Sequence, residues 1–515
     1  MVPTFTTRPE LRGSFGMVAS THWLASASGM AVLEKGGNAF DAAVAAGFVL
    51  QVVEPHLNGP GGDMPAIVYD AGRRETRVIC GQGTAPARLT TALIRSLGLD
   101  SIPGDGHLAA CVPGAFGAWL LMLERYGTLR LRDVLEYAIG YAEHGYPVLP
   151  AIAGKVASVE GLFREHWPSS AAVYFERGAP VTGHLFSNPD LAATYRRILR
   201  EAESAGGGRE AEIERARRAY YEGFVAEAID NFVRHSSVMD CSGSAHQGVL
   251  DASDMHGWRA SIEPTASLTY RNFEIHKTAP WGQGPVFLQQ VALLEGRFGD
   301  AAFLSPEHLH LAIESAKLAF ADREAWYGDD AGVPLDALLS SAYTARRLRL
   351  ISSRASDELR PGSPDGRDPV IPRWGDGQHR RAKRLAPAWR YMPRRRRRPE
   401  WKPGLGDAVG RVAPLEPGCT RAGLPARDKG ADVQPRGGAS ERVATRQATT
   451  DHPQPLACLP RRGAVHGLRH AGRRCPGSMD SQLLHCARRL RTERPAGHRR
   501  PELLDPAFSE LLLST

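Results

Sequence analysis

The chain has 515 residues and a formal net charge of +8, with 42% hydrophobic and 23% charged residues, enough to build a sizeable core in one layered domain or several smaller ones. No run of about 18 apolar residues occurs, and the N-terminus MVPTFTTRPELRGSFGMVAS lacks a basic region followed by an apolar segment, so membrane spanning and secretion are unsupported and the expected location is cytoplasmic. Its 7 cysteines form an odd set without a CxxC pair, signalling neither a disulfide framework nor a zinc site, and no metal or cofactor is expected.

In chain order, Leu24–Lys35 has helical spacing and stops at Gly36–Gly37. Asn38 is placed to cap a second helix, with Asp41 in its first turn near the positive dipole end, running to Pro55. The loop HLNGPGGDM (His56–Met64) leads to AIVYD (Ala66–Asp70), a tight turn at Ala71–Gly72 and TRVIC (Thr76–Cys80), which together read as a β-hairpin. Leu131–His144, Asp190–Ala205 and Glu210–His235 have helical spacing, the last two separated by the glycine-rich AGGGR at Ala205–Arg209. SLTYRN and EIHKT, within Ser267–Thr278, read as strands before WGQGP (Trp281–Pro285). Ser305 as N-cap and Pro306 at the first helical position start a strong helix towards Tyr327. Residues 1–370 therefore read as an ordered α/β or α+β body without an internal repeat.

Beyond that body the composition changes. Residues 1–370 carry 34 Lys+Arg against 43 Asp+Glu, whereas residues 371–515 carry 30 against 13. The last isoleucine is Ile371, and the remaining ring surface is Tyr391, Phe508 and three tryptophans, too little for a good core. The expected division is an ordered region over 1–370 and a basic, low-order tail over 371–515. Within the tail, MPRRRRRPEW (Met392–Trp401) has the electrostatic signature of a phosphate-binding or targeting patch.

Three constellations in the body invite chemistry, and each has a plainer reading. GPGGD (Gly59–Asp63) offers backbone N–H groups to an anion but lacks the Lys-Ser/Thr of a phosphate loop, and a tight turn allowing close backbone approach fits better. His308, His310 and Glu314 in HLHLAIE include histidines at i,i+2, which point to different helix faces and fit helix packing better than a metal. Asp322–Arg323 and Asp329–Asp330 read as a surface ion pair and a turn, with lining of a site as the second reading.

A longer pattern names a reaction class. GMVASTHWLASASGMAVLEKGGNAFDAAVAAGFVLQVVEPHLNGPGGDMPAIVYD, residues 16–70, closely resembles the start of the γ-glutamyltranspeptidase family, whose signature runs from GGNAxDAAVA through VVEP to a GxGG loop. The resemblance continues in order through TAPARLT (Thr84–Thr90), GHLAACVPGAFGAW (Gly106–Trp119), APWGQGP (Ala279–Pro285) and HLAIESAKLAFADREAWYGD (His310–Asp329), as far as about residue 370. It implies an α+β protein, the αββα sandwich of the N-terminal-nucleophile hydrolases, made as a proenzyme that cuts itself before a threonine. The threonine hydroxyl then attacks a γ-glutamyl amide with its freed α-amino group as base, and adjacent backbone N–H groups of a Gly-Gly turn stabilise the oxyanion. Water or an amino acid takes up the acyl group. The resemblance further implies a small-molecule γ-glutamyl or acyl amide as partner and a large/small subunit heterodimer from one precursor, with no cofactor, nucleic acid or membrane. This machinery belongs to a small subunit expected from around residue 390.

There the chain departs from the family. The nucleophile motif, approximately G(D/T)T(C/T)H followed by VVDxxGNxVSxT, is replaced by RYMPRRRRRPEWKPGLGDAVG (Arg390–Gly410). Read one base later with allowed codons, Met392–Trp401 becomes CHVDVVDRNG, Ser440–Pro455 becomes ANGSRPGKRPRTIPS and Gly463–Asp480 becomes APYMAFGTPGGDVQDQW. Glu493–Ser514 likewise becomes NVQRAIDAPNFWTQHFPSSF, and each segment is what the family shows there, in order. The tail therefore reads as out-of-frame translation of the small subunit, with the shift between Ile371 and Gln378, where the family-like PDGRDPVIP ends. No catalytic residue is then in frame: the nucleophile codon straddles Tyr391 and Met392. Thr449–Thr450 in QATTDHPQ echoes the motif without the strand that should follow it.

A second departure concerns substrate choice. Where transpeptidases of the family carry an arginine before APA that clamps the α-carboxylate in bidentate fashion, this chain has Gln82 in GQGTAPA, which brings no charge. Gln82 is thus either a substrate contact through neutral hydrogen bonds or an ordinary loop residue, and the subgroup without the arginine includes relatives resembling cephalosporin acylases. The competing reading from another class is a catalytically dead scaffold whose basic tail binds nucleic acid or an acidic partner.

Overall fold

The computed structural model describes residues 11–299, 301–329 and 332–371, together with the backbone of Ala464–Val465, all within the larger of two compact units. The smaller unit, Pro393–Arg461, lies outside the described residues.

The helix Ala39–Val53 forms the axis of the body. It is apolar around its whole circumference, and Val44, Ala45, Phe48, Val49 and Val53 are fully excluded from solvent, as such a helix requires. The helices Trp23–Glu34, Ala115–Tyr126 and Leu131–His144 pack on it, Pro189–Glu203 and Gly208–Tyr221 pack on these in turn, and all contribute to one continuous core. Its N-terminus is closed as the sequence predicts. The Asn38 side chain accepts from the amides of Phe40 and Asp41 at 2.8 and 3.0 Å, and the Asp41 carboxylate accepts from the Asn38 amide at 2.9 Å. The fully buried Asp41 carboxylate also accepts from the amides of Thr128 and Leu129 and, at 2.7 Å, from the Thr128 hydroxyl. One carboxylate thereby joins the start of the central helix to the link between the helices Ala115–Tyr126 and Leu131–His144.

The strands Met64–Asp70 and Glu75–Gly81 pair antiparallel from Met64 opposite Gly81 to Asp70 opposite Glu75, and Ser261–Pro264 adds a third strand beside Glu75–Gly81. Met64, Val68 and Ile79 belong to the same core as Phe116 and Ala118, so the sheet lies on the Ala115–Tyr126 helix. The connection is longer than the expected tight turn at Ala71–Gly72. It spans Ala71–Arg74, because the Asp70 carboxylate accepts from the amides of both Gly72 and Arg73, and Arg74 takes a left-handed φ of 55°. A second hairpin, Ala266–Tyr270 with Phe273–Lys277, rests on the Gly284–Leu294 helix around Ile275, Leu288 and Val291. The backbone of Ala464–Val465 runs parallel to its outer strand.

One further expectation changes. The stretch Glu210–His235 is two helices, Gly208–Tyr221 and Phe224–His235, because Glu222 leaves the first helix and pairs with Arg217, and Gly223 starts the second. Between residues 150 and 175 lie three short helices whose brevity leaves no periodic signal, Pro150–Ser158, Glu160–His166 and Pro168–Phe175. Among the described residues, no helix is long and apolar enough to cross a membrane.

Replacing Asp41 by alanine leaves the Thr128 and Leu129 amides without an acceptor and removes the cap, at an expected cost of about 3 kcal/mol. Asp41→Asn retains part of the network and costs less. Urea unfolding checks this as a lowered midpoint in the order wild type, Asn, Ala.

Candidate functional site

Three loops meet at one end of the hairpin sheet. The loop Gly59–Asp63 is pinned by its carbonyl groups: Gly62 accepts from the amides of Gly114 and Ala115 at 3.0 and 2.9 Å, and Pro60 accepts from the Tyr220 hydroxyl at 2.7 Å. Those two amides are the open donors at the N-terminus of the Ala115–Tyr126 helix, which has no side-chain cap, so Gly62 acts as the cap. Tyr221 reinforces the joint, donating to the Pro113 carbonyl at 2.6 Å and accepting from the Gly117 amide at 3.0 Å. GPGGD is therefore a tight turn, closed by the Gly62 amide on the Gly59 carbonyl at 3.1 Å, but the expected close backbone approach is not at its glycines: a Cβ on Gly59 or Gly61 would meet nothing within 4 Å.

The end of the strand Glu75–Gly81 runs into the segment around Val112, with the Val112 amide donating to the Thr84 carbonyl at 3.0 Å. This contact has room for glycine alone. A Cβ on Gly83 would stand 1.6 Å from the Val112 carbonyl oxygen, and one on Gly114 would stand 2.0 Å from that of Gly81. Between these glycines Gln82 is held by its backbone, whose carbonyl accepts from the indole of buried Trp258 at 3.2 Å, while its side chain is exposed at the mouth. Cys80 lies against the Gln82 backbone, and Asp63 is within electrostatic reach of Cys111. Burial pushes the thiols of Cys80 and Cys111 up, with the Asp63 carboxylate adding to the effect on Cys111, so neither is poised as a thiolate nucleophile.

A second wall comes from distant sequence. The Trp281 indole of WGQGP donates to Glu263 at 2.8 Å, and Glu263 lies on the strand beside Val78. Arg323 donates to the Gln283 side chain at 2.7 Å, which ties the same loop to the Pro306–Trp326 helix. The motifs around residues 84, 113, 281 and 323, far apart in the chain, are thus joined by direct hydrogen bonds or shared strands.

The other candidates separate. The His308 ring stacks on Phe298 with centroids 4.3 Å apart, and burial lowers its pKa. The second histidine, His310, contacts the Ser352 carbonyl at 2.6 Å. Burial pushes the Glu314 carboxyl up, but Lys317, the Ser356 amide and Arg360 together bring it below the usual range. These three residues therefore serve packing and a strap over residues 352–360. Asp322 is a correction: it makes no surface pair with Arg323. Its side chain is 1% exposed, meets buried Arg347 at 3.2 Å, and accepts from the Gly362 amide and the Gln289 side chain. Burial pushes its carboxyl up against the pull of Arg347. Arg323 instead bonds Glu324 and Gln283. Asp329 is exposed, while Asp330, the arginine run Arg394–Arg398, Tyr391–Met392 and Thr449–Thr450 lie outside the described residues. Trp258, Tyr220, Tyr221 and Glu263 are not legible in the sequence, because each acts through a partner 100 or more residues away or across a sheet.

The sequence profile of the family described as Gamma-glutamyltranspeptidase matches residues 25–379. The chain belongs to the γ-glutamyltranspeptidase family. Among the family's curated members it is similar to the glutathione hydrolase-like YwrD proenzyme of Bacillus subtilis, 33% identical over 359 residues, covering 68% of this chain and 63% of that protein. Among solved structures, LmbA2991HD shares 53% identity with a TM-score of 0.69, covering 72% of this chain and 63% of that one. The cephalosporin acylase from Bacillus halodurans shares 30% identity with a TM-score of 0.61, covering 70% and 65%. The fold is accordingly the α+β fold of the family's N-terminal-nucleophile hydrolases. The match spans about three fifths of the length of such curated relatives.

Asp322→Ala strands the Arg347 guanidinium in the interior and is expected to cost about 3–5 kcal/mol, whereas Asp322→Leu combined with Arg347→Met recovers most of the loss. Chemical unfolding of the single and double variants checks both statements.

Proposed function

We propose that the intact gene product is an amide hydrolase and acyltransferase of the N-terminal-nucleophile type, acting on γ-glutamyl or related acyl amides. In this reading the chain as written lacks its nucleophile in frame and is inactive. The observation that carries the reading is the agreement of two limits: the family match ends at residue 379, and the composition turns basic after Ile371. A tail that yields family segments when read one base later explains both with one cause.

In the restored frame, the threonine whose codon straddles Tyr391 and Met392 becomes the first residue of a small subunit after self-cleavage. Its hydroxyl oxygen attacks the amide carbon while its α-amino group takes the proton and passes it to the departing amine. The resulting acyl ester is cleaved by water, releasing a carboxylic acid, or by an amine, forming a new amide. The Gly-Gly turn recovered from Gly463–Asp480 supplies N–H donors where negative charge develops on the carbonyl oxygen. The large-subunit body contributes the holding side of the site, with Gln82 offering neutral hydrogen bonds to the acyl group. The enzyme works as a large/small heterodimer on a small-molecule substrate in the cytoplasm, without nucleic acid or membrane as partner.

Gln82 also favours one variant of this reading. A transpeptidase clamp for an α-carboxylate needs a cation, and this chain has neutral Gln82 at that place in the motif, so acyl groups without that carboxylate fit at least as well. The similarity to a cephalosporin acylase supports an acylase-like specificity.

Deleting one base between codons 371 and 378, which brings the following codons into the frame read one base later, is expected to give a precursor that splits into two chains on a gel and releases nitroaniline from an acyl anilide. The chain as written does neither; activity of that chain, or failure of every restored frame to split, overturns the proposal. In the restored enzyme, Gln82→Arg is expected to raise kcat/KM for γ-glutamyl-p-nitroanilide roughly ten- to hundredfold relative to the 4-aminobutyryl anilide, which lacks the α-carboxylate.

A further inference from the structure

The helix Phe224–His235 carries Phe224, Val225, Ile229 and Phe232 on one stripe, yet only Ala226 and Val233 of its residues are buried. The stripe faces the Pro189–Glu203 helix across an open groove of about 640 Å³, within the roughly 300–1,000 Å³ usual for small-molecule sites. The far end stays open: Phe232 is 47% exposed, with the His107 ring against it at 5.3 Å between centroids.

The charges at the rim are unequal. Arg197 stacks on the Phe224 ring at 3.8 Å and bonds Glu201 at 2.9 Å, so its charge is compensated. Arg196 and Arg132 are taken by Glu143 and Glu203. Arg200 lines the same groove, is exposed, and has no carboxylate partner among the described residues. An apolar floor ending at one uncompensated guanidinium is complementary to an apolar body with one carboxylate.

We propose that this groove is a binding site for a free amphiphilic monocarboxylate, an aliphatic or arylalkyl acid, with its chain along Phe224, Ile229 and Phe232 and its carboxylate on Arg200. The site is separate from the Gln82 mouth and needs no catalytic turnover, so it stands or falls independently of the proposed reaction.

Calorimetric titration of the full chain with octanoate, octanol and octyltrimethylammonium tests it. Octanoate is expected to bind, with the alcohol and the cation weaker by roughly tenfold or more, and Arg200→Glu to weaken octanoate roughly ten- to hundredfold. Phe232→Asp, at the exposed end, is expected to abolish binding without affecting the fold, as judged by an unchanged circular dichroism spectrum. Equal affinity for octanol and octanoate, or undiminished octanoate binding in both variants, overturns the assignment. So does a concentration-dependent dimer that Phe232→Asp dissociates while octanoate fails to bind, because the groove is then an interface between copies.

Discussion

The carbonyl oxygen of Gly62 is the joint on which the rest of the candidate site depends. By accepting from the amides of Gly114 and Ala115 it closes a helix N-terminus that has no side-chain cap, and in doing so it fixes a glycine-rich loop to the core. Tyr220 and Tyr221 brace both sides of the joint, and the Tyr220 ring stacks on Phe116 inside the core at 4.3 Å between centroids. The strand end at Gly83 then approaches Val112 so closely that glycine is required, and Gln82 is left facing outward at a defined place. A glycine-rich loop that looks pliable in sequence is thus a firm support in the fold.

The site built on this support is weakly charged for its size. Its two cysteines are held as thiols, its glutamine is neutral, and its nearest acids are engaged or exposed. The strong charges are used farther back. Asp322 with Arg347 and Glu314 with Arg360 lie largely inside the protein, where a pair contributes little net stability but a missing partner costs a great deal. They hold residues 352–362 against the Pro306–Trp326 helix. In the proposed enzyme such a support holds the acyl group, and the reacting threonine and the oxyanion donors come from the segment that follows.

Legibility follows the range of each interaction. The Asn38 cap, the Leu131–His144 helix and the Ser305–Pro306 helix start depend on neighbours a few residues away, and the structure reproduces them to within a residue or so. The hairpin is legible but its turn length is not, because the Asp70 side chain competes for the backbone amides. Asp322 reads as a surface residue in the sequence because its partner Arg347 is on another helix, and burial cannot be inferred from a DR pair alone. The long 210–235 pattern continues without a periodic break across Gly223, but Glu222 leaves the first helix and pairs with Arg217, and Gly223 starts the second.

By itself, the sequence determined the family, the α+β class, most of the long helices and the change of character after Ile371, because each is written in local patterns or ordered motifs that need no third dimension. Tertiary structure alone decided which motifs share a site. The Gly62 carbonyl meets a helix 50 residues on, Trp258 reaches Gln82 from across the chain, and Asp322 finds Arg347, since hydrogen bonds and buried charges are satisfied by whatever the fold brings within about 3 Å.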